Sequence, residues 1–133
     1  MTAERLEKML HALLTSNADI PKAWSGIVPA GEALPAVVYS LASASDVIQL
    51  GPGGGQILVR ATYLVKAVGQ ASGWGALSTL ASAIDSTLDG ADYQADGYRI
   101  EVRRERPIAY VEEDQGRQYR HIGGYYTVYM TAA

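Results

Sequence analysis

Near the start of the chain Leu6, Met9, Leu10 and Leu13 recur at spacings of three and four, with Glu4, Arg5, Glu7 and Lys8 between them. That period predicts an amphipathic helix over about Thr2 to Ser16, with Thr2 as candidate N-cap and Asn17 as candidate C-terminal stop. From Ala18 to Pro35 the pattern is broken by Pro21, Gly26, Pro29, Gly31 and Pro35, a density of breakers that predicts an extended, irregular connection. AVVYSLASAS, from Ala36 to Ser45, clusters β-branched and aromatic residues and reads as a first strand. After GPGGG, Ile57, Val59, Ala61, Tyr63 and Val65 alternate with Leu58, Arg60, Thr62, Leu64 and Lys66, predicting a second strand that folds back on the first. Leu77, Leu80, Ala81, Ile84 and Leu88 return to one helical face, with Ser72 or Gly73 before them and Gly90 after as start and stop. Asp92 to Gly97 reads as a turn, Tyr98 to about Glu105 as a half-exposed strand, and the stretch with Glu112, Glu113, Asp114 and Gly116 as a polar loop. Tyr126, Val128 and Met130 alternate with Tyr125, Thr127 and Tyr129 in a last strand, where Gly123 and Gly124 mark an expected bulge or bend.

These elements predict an α+β fold of order α-β-β-α-β-β: a four-stranded, mainly antiparallel sheet with both helices packed on one face. The other face would carry Arg60, Thr62, Lys66, Glu101, Arg103 and some of the tyrosines, too polar a set for a second core layer, so it faces solvent or a partner. The αββ unit occurs twice, but the two halves show no similarity residue by residue.

Length and composition narrow the class. At 133 residues, 48% hydrophobic and 19% charged, the chain is expected to form one domain, residues 1–133, around one core. There is no cysteine and only His11 and His121 as imidazoles, which removes disulfide frameworks, thiolate nucleophiles and Cys- or His-rich metal sites. A net charge of −3 at pH 7 demands neither nucleic acid nor an anionic membrane. The N-terminus lacks a signal-peptide pattern and no stretch is long and apolar enough for a membrane helix, so a cytoplasmic protein without membrane contact is expected. Phenylalanine is absent while tyrosine occurs nine times, a bias toward half-buried surfaces where the ring packs and the hydroxyl stays wet.

The candidate sites are modest. GPGGG, Gly51, Pro52, Gly53, Gly54 and Gly55, lies between two strands and precedes Gln56 rather than Lys-Ser and a helix. It lacks the phosphate-loop pattern and reads as a hairpin tip and candidate docking loop. Six of the eleven basic residues, Arg99, Arg103, Arg104, Arg106, Arg117 and Arg120, fall in one region interrupted by Glu101, Glu105, Glu112, Glu113 and Asp114. Mixed signs favour a solvated face or an intersubunit ion-pair network over nucleic-acid binding. Arg99, Arg103, Arg104, Arg106, Glu112, Glu113, Arg117 and Arg120 are therefore the candidate subunit or partner interface. The three acidic residues match no calcium-loop spacing, and neither histidine has a nucleophile or HExxH context. No catalytic residue, cofactor or metal is expected. Trp24 and Trp74 are read as packing anchors.

The amphipathic first helix, VPAGEALPAVVYSLASAS leading into the first strand, ATYLVKAVGQASG, ALSTLASAIDSTLDG and the closing RERPIAYVEED…YRHIGGYYTVYM together resemble the tail terminator, or tail completion, family of long-tailed phages. The resemblance covers nearly the whole chain and rests on element order, on Leu34 to Val38 and on the tyrosine-rich last strand. It implies a non-enzymatic virion protein, assembled in the host cytoplasm, that closes into a hexameric ring at the head-proximal end of the tail. There it would cap the tail tube, end polymerisation and meet a head-side connector or stopper. DNA would pass through the lumen without specific binding. A head-tail connector or stopper protein is the alternative within that class; a small ligand-binding or enzyme domain is the alternative outside it.

Overall fold

The computed structural model describes residues 2–20, 22–49, 56–70 and 74–132. The elements run α1 (Thr2–Thr15), β1 (Ala23–Ser25), β2 (Ala36–Gln49), β3 (Gln56–Gly69), α2 (Gly75–Leu88), β4 (Asp92–Ala95), β5 (Tyr98–Asp114) and β6 (Arg117–Ala132). They form one six-stranded sheet of order β1-β2-β3-β6-β5-β4. β1 runs parallel to β2, and every other pair is antiparallel.

This corrects the expected fold class: the sheet is mixed and six-stranded, not a four-stranded antiparallel one, and the order is α-β-β-β-α-β-β-β. The two added strands are the shortest. β1 spans three residues, sits among the breakers Gly26 and Pro29 and is held by parallel pairing to Val37, Val38 and Tyr39, so no local period announces it. β4 hides in the Asp92 to Gly97 segment read as a turn. Asp96 and Gly97 (φ 53° and 83°) are the two-residue turn itself, and Asp92 to Ala95 pair back on β5.

One face of the sheet carries the core. Val59, Ala61, Tyr63, Val65 and Ala67 of β3 alternate inward, opposite Met130, Val128, Tyr126, Gly124 and Ile122 of β6. Leu6, Met9, Leu10 and Leu14 of α1 and Leu77, Ile84 and Leu88 of α2 are buried with them. At about 25 cal/mol per Å2 of apolar surface, each such side chain contributes roughly 1.5–3 kcal/mol against its exposed state. Polar bonds fix the helices. Asn17 Nδ2 donates to Thr87 Oγ1 (2.8 Å), and the buried Tyr126 hydroxyl donates to Asp85 Oδ1 (3.0 Å), tying α2 to the central strand.

Gly123 and Gly124 form neither bulge nor bend, since β6 pairs in unbroken register with β3 through Lys66↔Gly123 and Val65↔Gly124. They mark close approach: a Cβ on Gly123 would meet the Val65 carbonyl oxygen at 2.1 Å, and one on Gly124 the Arg106 oxygen at 2.9 Å. The irregularity lies on the partner strand, where the β5 register shifts between Arg104 and Arg106. The bulged Glu105 accepts a hydrogen bond from the buried Thr127 hydroxyl.

Candidate interaction surface

The region expected to be a polar loop is strand. β5 continues through Glu112, Glu113 and Asp114, and the turn is only Gln115-Gly116, both left-handed at φ 52° and 78°. Asp114 pairs with Arg117, so β5 and β6 make one hairpin from Tyr98 and Ala132 to the tip. Two consecutive left-handed residues define the tight primed turn, which glycine accommodates and glutamine tolerates less readily than Asn or Asp.

Strand alternation divides the candidate interface residues between two faces. Arg104 is on the helix side, with Nε 3.5 Å from Asp85 Oδ1 and its backbone N–H donating to Asp89 Oδ1 (3.0 Å). Arg120 is on that side too, its guanidinium 4.8 Å from the Trp74 ring. The helix-free face carries Arg99, Arg103, Arg106, Glu112 and Arg117. Arg99 bonds Asp92 through Nε (2.8 Å) and pairs with Glu101 (2.8 Å), and the Arg99 hydrogen bond holds the Asp92 carboxyl below its ordinary range. Arg106 lies over Tyr125 at 4.6 Å. Glu113 points to the helix side at the exposed tip. The eight residues are thus a two-sided arm rather than one patch. The candidate docking loop Gly51 to Gly55 lies outside the described residues.

Sequence reasoning missed a cluster at the foot of this arm, on the helix-free face. Tyr110 and His121, cross-strand partners, stack at 4.4 Å with planes 8° apart. Lys66 Nζ donates to the Tyr110 hydroxyl (2.7 Å). His121 is only 6% exposed and its Nε2 lies 3.1 Å from Glu112 Oε1. A carboxylate only accepts, so Nε2 carries the proton, and in the neutral ring Nδ1 is a bare acceptor, buried without a hydrogen-bond partner among the described residues. Burial, and then the Lys66 ammonium, lower the His121 pKa from its ordinary value; the Glu112 bond opposes them without reversing the shift. Tyr110 and His121 share no local pattern in the sequence, and only the hairpin register brings them together. His121, Lys66 and Glu112 line a cavity of about 750 Å3 between the sheet and the Gly26 to Pro35 segment, with Glu32, Asp114 and Arg117 also at its walls.

Among the described residues no group of three or more His, Asp or Glu is placed to hold a metal ion, and no helix is long and apolar enough to cross a membrane.

No protein-family model matches this chain, and no characterised protein matches it in sequence. Its fold does have a solved counterpart. A chain described as "Virion of native gene transfer agent (GTA) particle" superposes with a TM-score of 0.57, covering 92% of this chain and 84% of that chain at 17% identity. The two chains share a fold across nearly their whole lengths.

Proposed function

We propose that this protein is a structural component of a phage-like particle and, within that class, a tail terminator. In this reading copies close into a ring, six-fold by the family resemblance, that caps the head-proximal end of the tail tube and offers a surface to a head-side connector. The observation that carries it is the fold shared over 92% of the chain with a component of a gene transfer agent virion. The arm agrees with a protein that works by contact. Charges of both signs are distributed along it, as a contact surface between subunits would carry, and closing a ring of more than two copies needs a head-to-tail interface. The chain's net charge of −3 suits a lumen through which DNA slides without sticking.

The test is the mass of the purified protein by light scattering across concentration and salt, followed by negative-stain imaging alone and with tail tubes. Closed rings and density capping tube ends are expected. Binding to the portal-side adaptor in place of the tube end would reassign the protein as a connector or stopper. A strict monomer that ignores tubes and takes a small molecule into the His121 cavity would overturn the structural reading.

A further inference from the structure

The sheet has two outer strands that cover only half of their neighbours. β1 pairs with β2 over Val37 to Tyr39, and the Gly26 N–H to Tyr39 oxygen bond (2.8 Å) is the last on that edge among the described residues. From Leu41 to Gln49, β2 is paired, among the described residues, on its β3 side alone. β4 and the residues before it cover β5 only as far as Arg104, through the Gly90 to Val102, Val102 to Ala91 and Arg104 to Asp89 bonds. From Arg106 to Asp114, β5 is paired, among the described residues, on its β6 side alone.

The free stretches lie at opposite ends of the sheet. Leu41 to Gln49 runs beside the first half of β3, and Arg106 to Asp114 beside the first half of β6 and past the end of β3. β2 runs toward one end and β5 toward the other, so they are antiparallel. The two stretches differ in what each presents: the β2 stretch shifts register between Leu41 and Ser43 and carries one charge, Asp46, whereas the β5 stretch carries Arg106, Pro107 and the acidic run Glu112 to Asp114. Among the described residues the exposed large hydrophobic side chains are Ile27, Leu41, Tyr110 and Val111, and three of these four stand on the two free stretches. Charge also matches by face. Arg60, exposed on the helix-free face beside Ser45, has no ion pair among the described residues, and the acidic end of β5 puts Glu112 and Asp114 on that same face.

We infer that copies of this chain join head to tail by antiparallel pairing of the Leu41–Gln49 stretch of one copy with the Arg106–Asp114 stretch of the next. The partner is a second copy because each free stretch supplies what the other lacks: opposite direction, matching length and the opposite end of the sheet. Bringing them side by side displaces the second copy along the strands by roughly eight residues, about 26 Å at 3.3 Å per residue. Each β5–β6 arm then reaches across its neighbour's β2–β3 hairpin. The contact is heterologous, so it propagates until it closes. The inference rests on the ring-forming reading above and specifies its interface.

The chain has no native cysteine, which makes the test clean. Ala44 and the trio Ala109, Val111 and Glu113 all point to the helix side of their strands. Ala44→Cys protein is mixed in turn with A109C, V111C and E113C protein and oxidised, the three spanning the central register and its two neighbours. Light scattering checks that each variant keeps the native mass. Covalent dimer from one of the three mixtures, and none from any variant alone, is the expected result. A dimer from Ala44→Cys alone would mean a two-fold β2 contact and overturn the inference. Intact oligomers with no cross-link in any mixture would overturn it while leaving the ring reading standing. A strict monomer would overturn both.

Discussion

Gly123 sits where three strands are pressed together, and no side chain fits. The nearest obstruction to a Cβ is backbone, the Val65 oxygen at 2.1 Å and Lys66 Cα at 2.5 Å, so rotamer changes cannot relieve it. Gly123→Ala should cost about 2–3 kcal/mol, the upper part of the range for overpacking in a close-packed interior. Urea unfolding would show this as a lower midpoint at unchanged slope. His121 gives a second residue-scale prediction with a definite sign. Its folded pKa lies below its unfolded value, about 6.5. The unfolded chain therefore binds the proton first, and stability present at neutral pH is lost as pH falls from about 6.5 through the folded pKa. His121→Gln keeps a donor toward Glu112 and removes the titration. Urea midpoints at pH 7.5, 6.5 and 5.5 should fall less steeply for it than for the parent, and identical slopes would show that His121 does not set the dependence.

At the scale of elements, the β5–β6 hairpin separates what the sequence carries from what it conceals. Its turn depends on Gly116 at φ 78°. Gly116→Ala should therefore cost about 1 kcal/mol of local stability, raising amide exchange at Glu113 and Arg117 while leaving the Tyr63 and Val65 amides protected. The helices were legible because a one-sided apolar stripe has a period that short-range reading detects, as in Leu77, Leu80, Ile84 and Leu88. The inner strands were legible from the alternation along Val59 to Val65. β1 and β4 were not, because three or four residues are too few to establish a period and their pairing partners decide their state. Glu112 to Asp114 were misread for a related reason. Three acidic residues look like a loop, yet on an edge strand beyond the helices both faces are wet and charge is no obstacle. Of the candidate surface, the placement of the charged residues was not legible. Alternation sends Arg104 and Arg120 to one face and Arg106 and Glu112 to the other, a division that only the register and the Glu105 bulge reveal. The orphaned nitrogen of His121 follows from burial and has no sequence signature.

For the molecule as a whole, the half-covered outer strands have a consequence for how the protein behaves as a material. On the proposed pairing, a subunit with one unpaired stretch at each end of its sheet, each complementary to the other, is a bifunctional monomer of the kind known in step-growth polymerisation. Such monomers follow a ring–chain balance. In dilute solution the two ends of one short oligomer find each other before a stranger does, and cycles dominate; concentrated, the same ends meet other molecules, and open filaments grow. Every open chain remains reactive at both termini, while the cycle has no reactive end left, so closure itself would cover the stretches that a single subunit leaves unpaired.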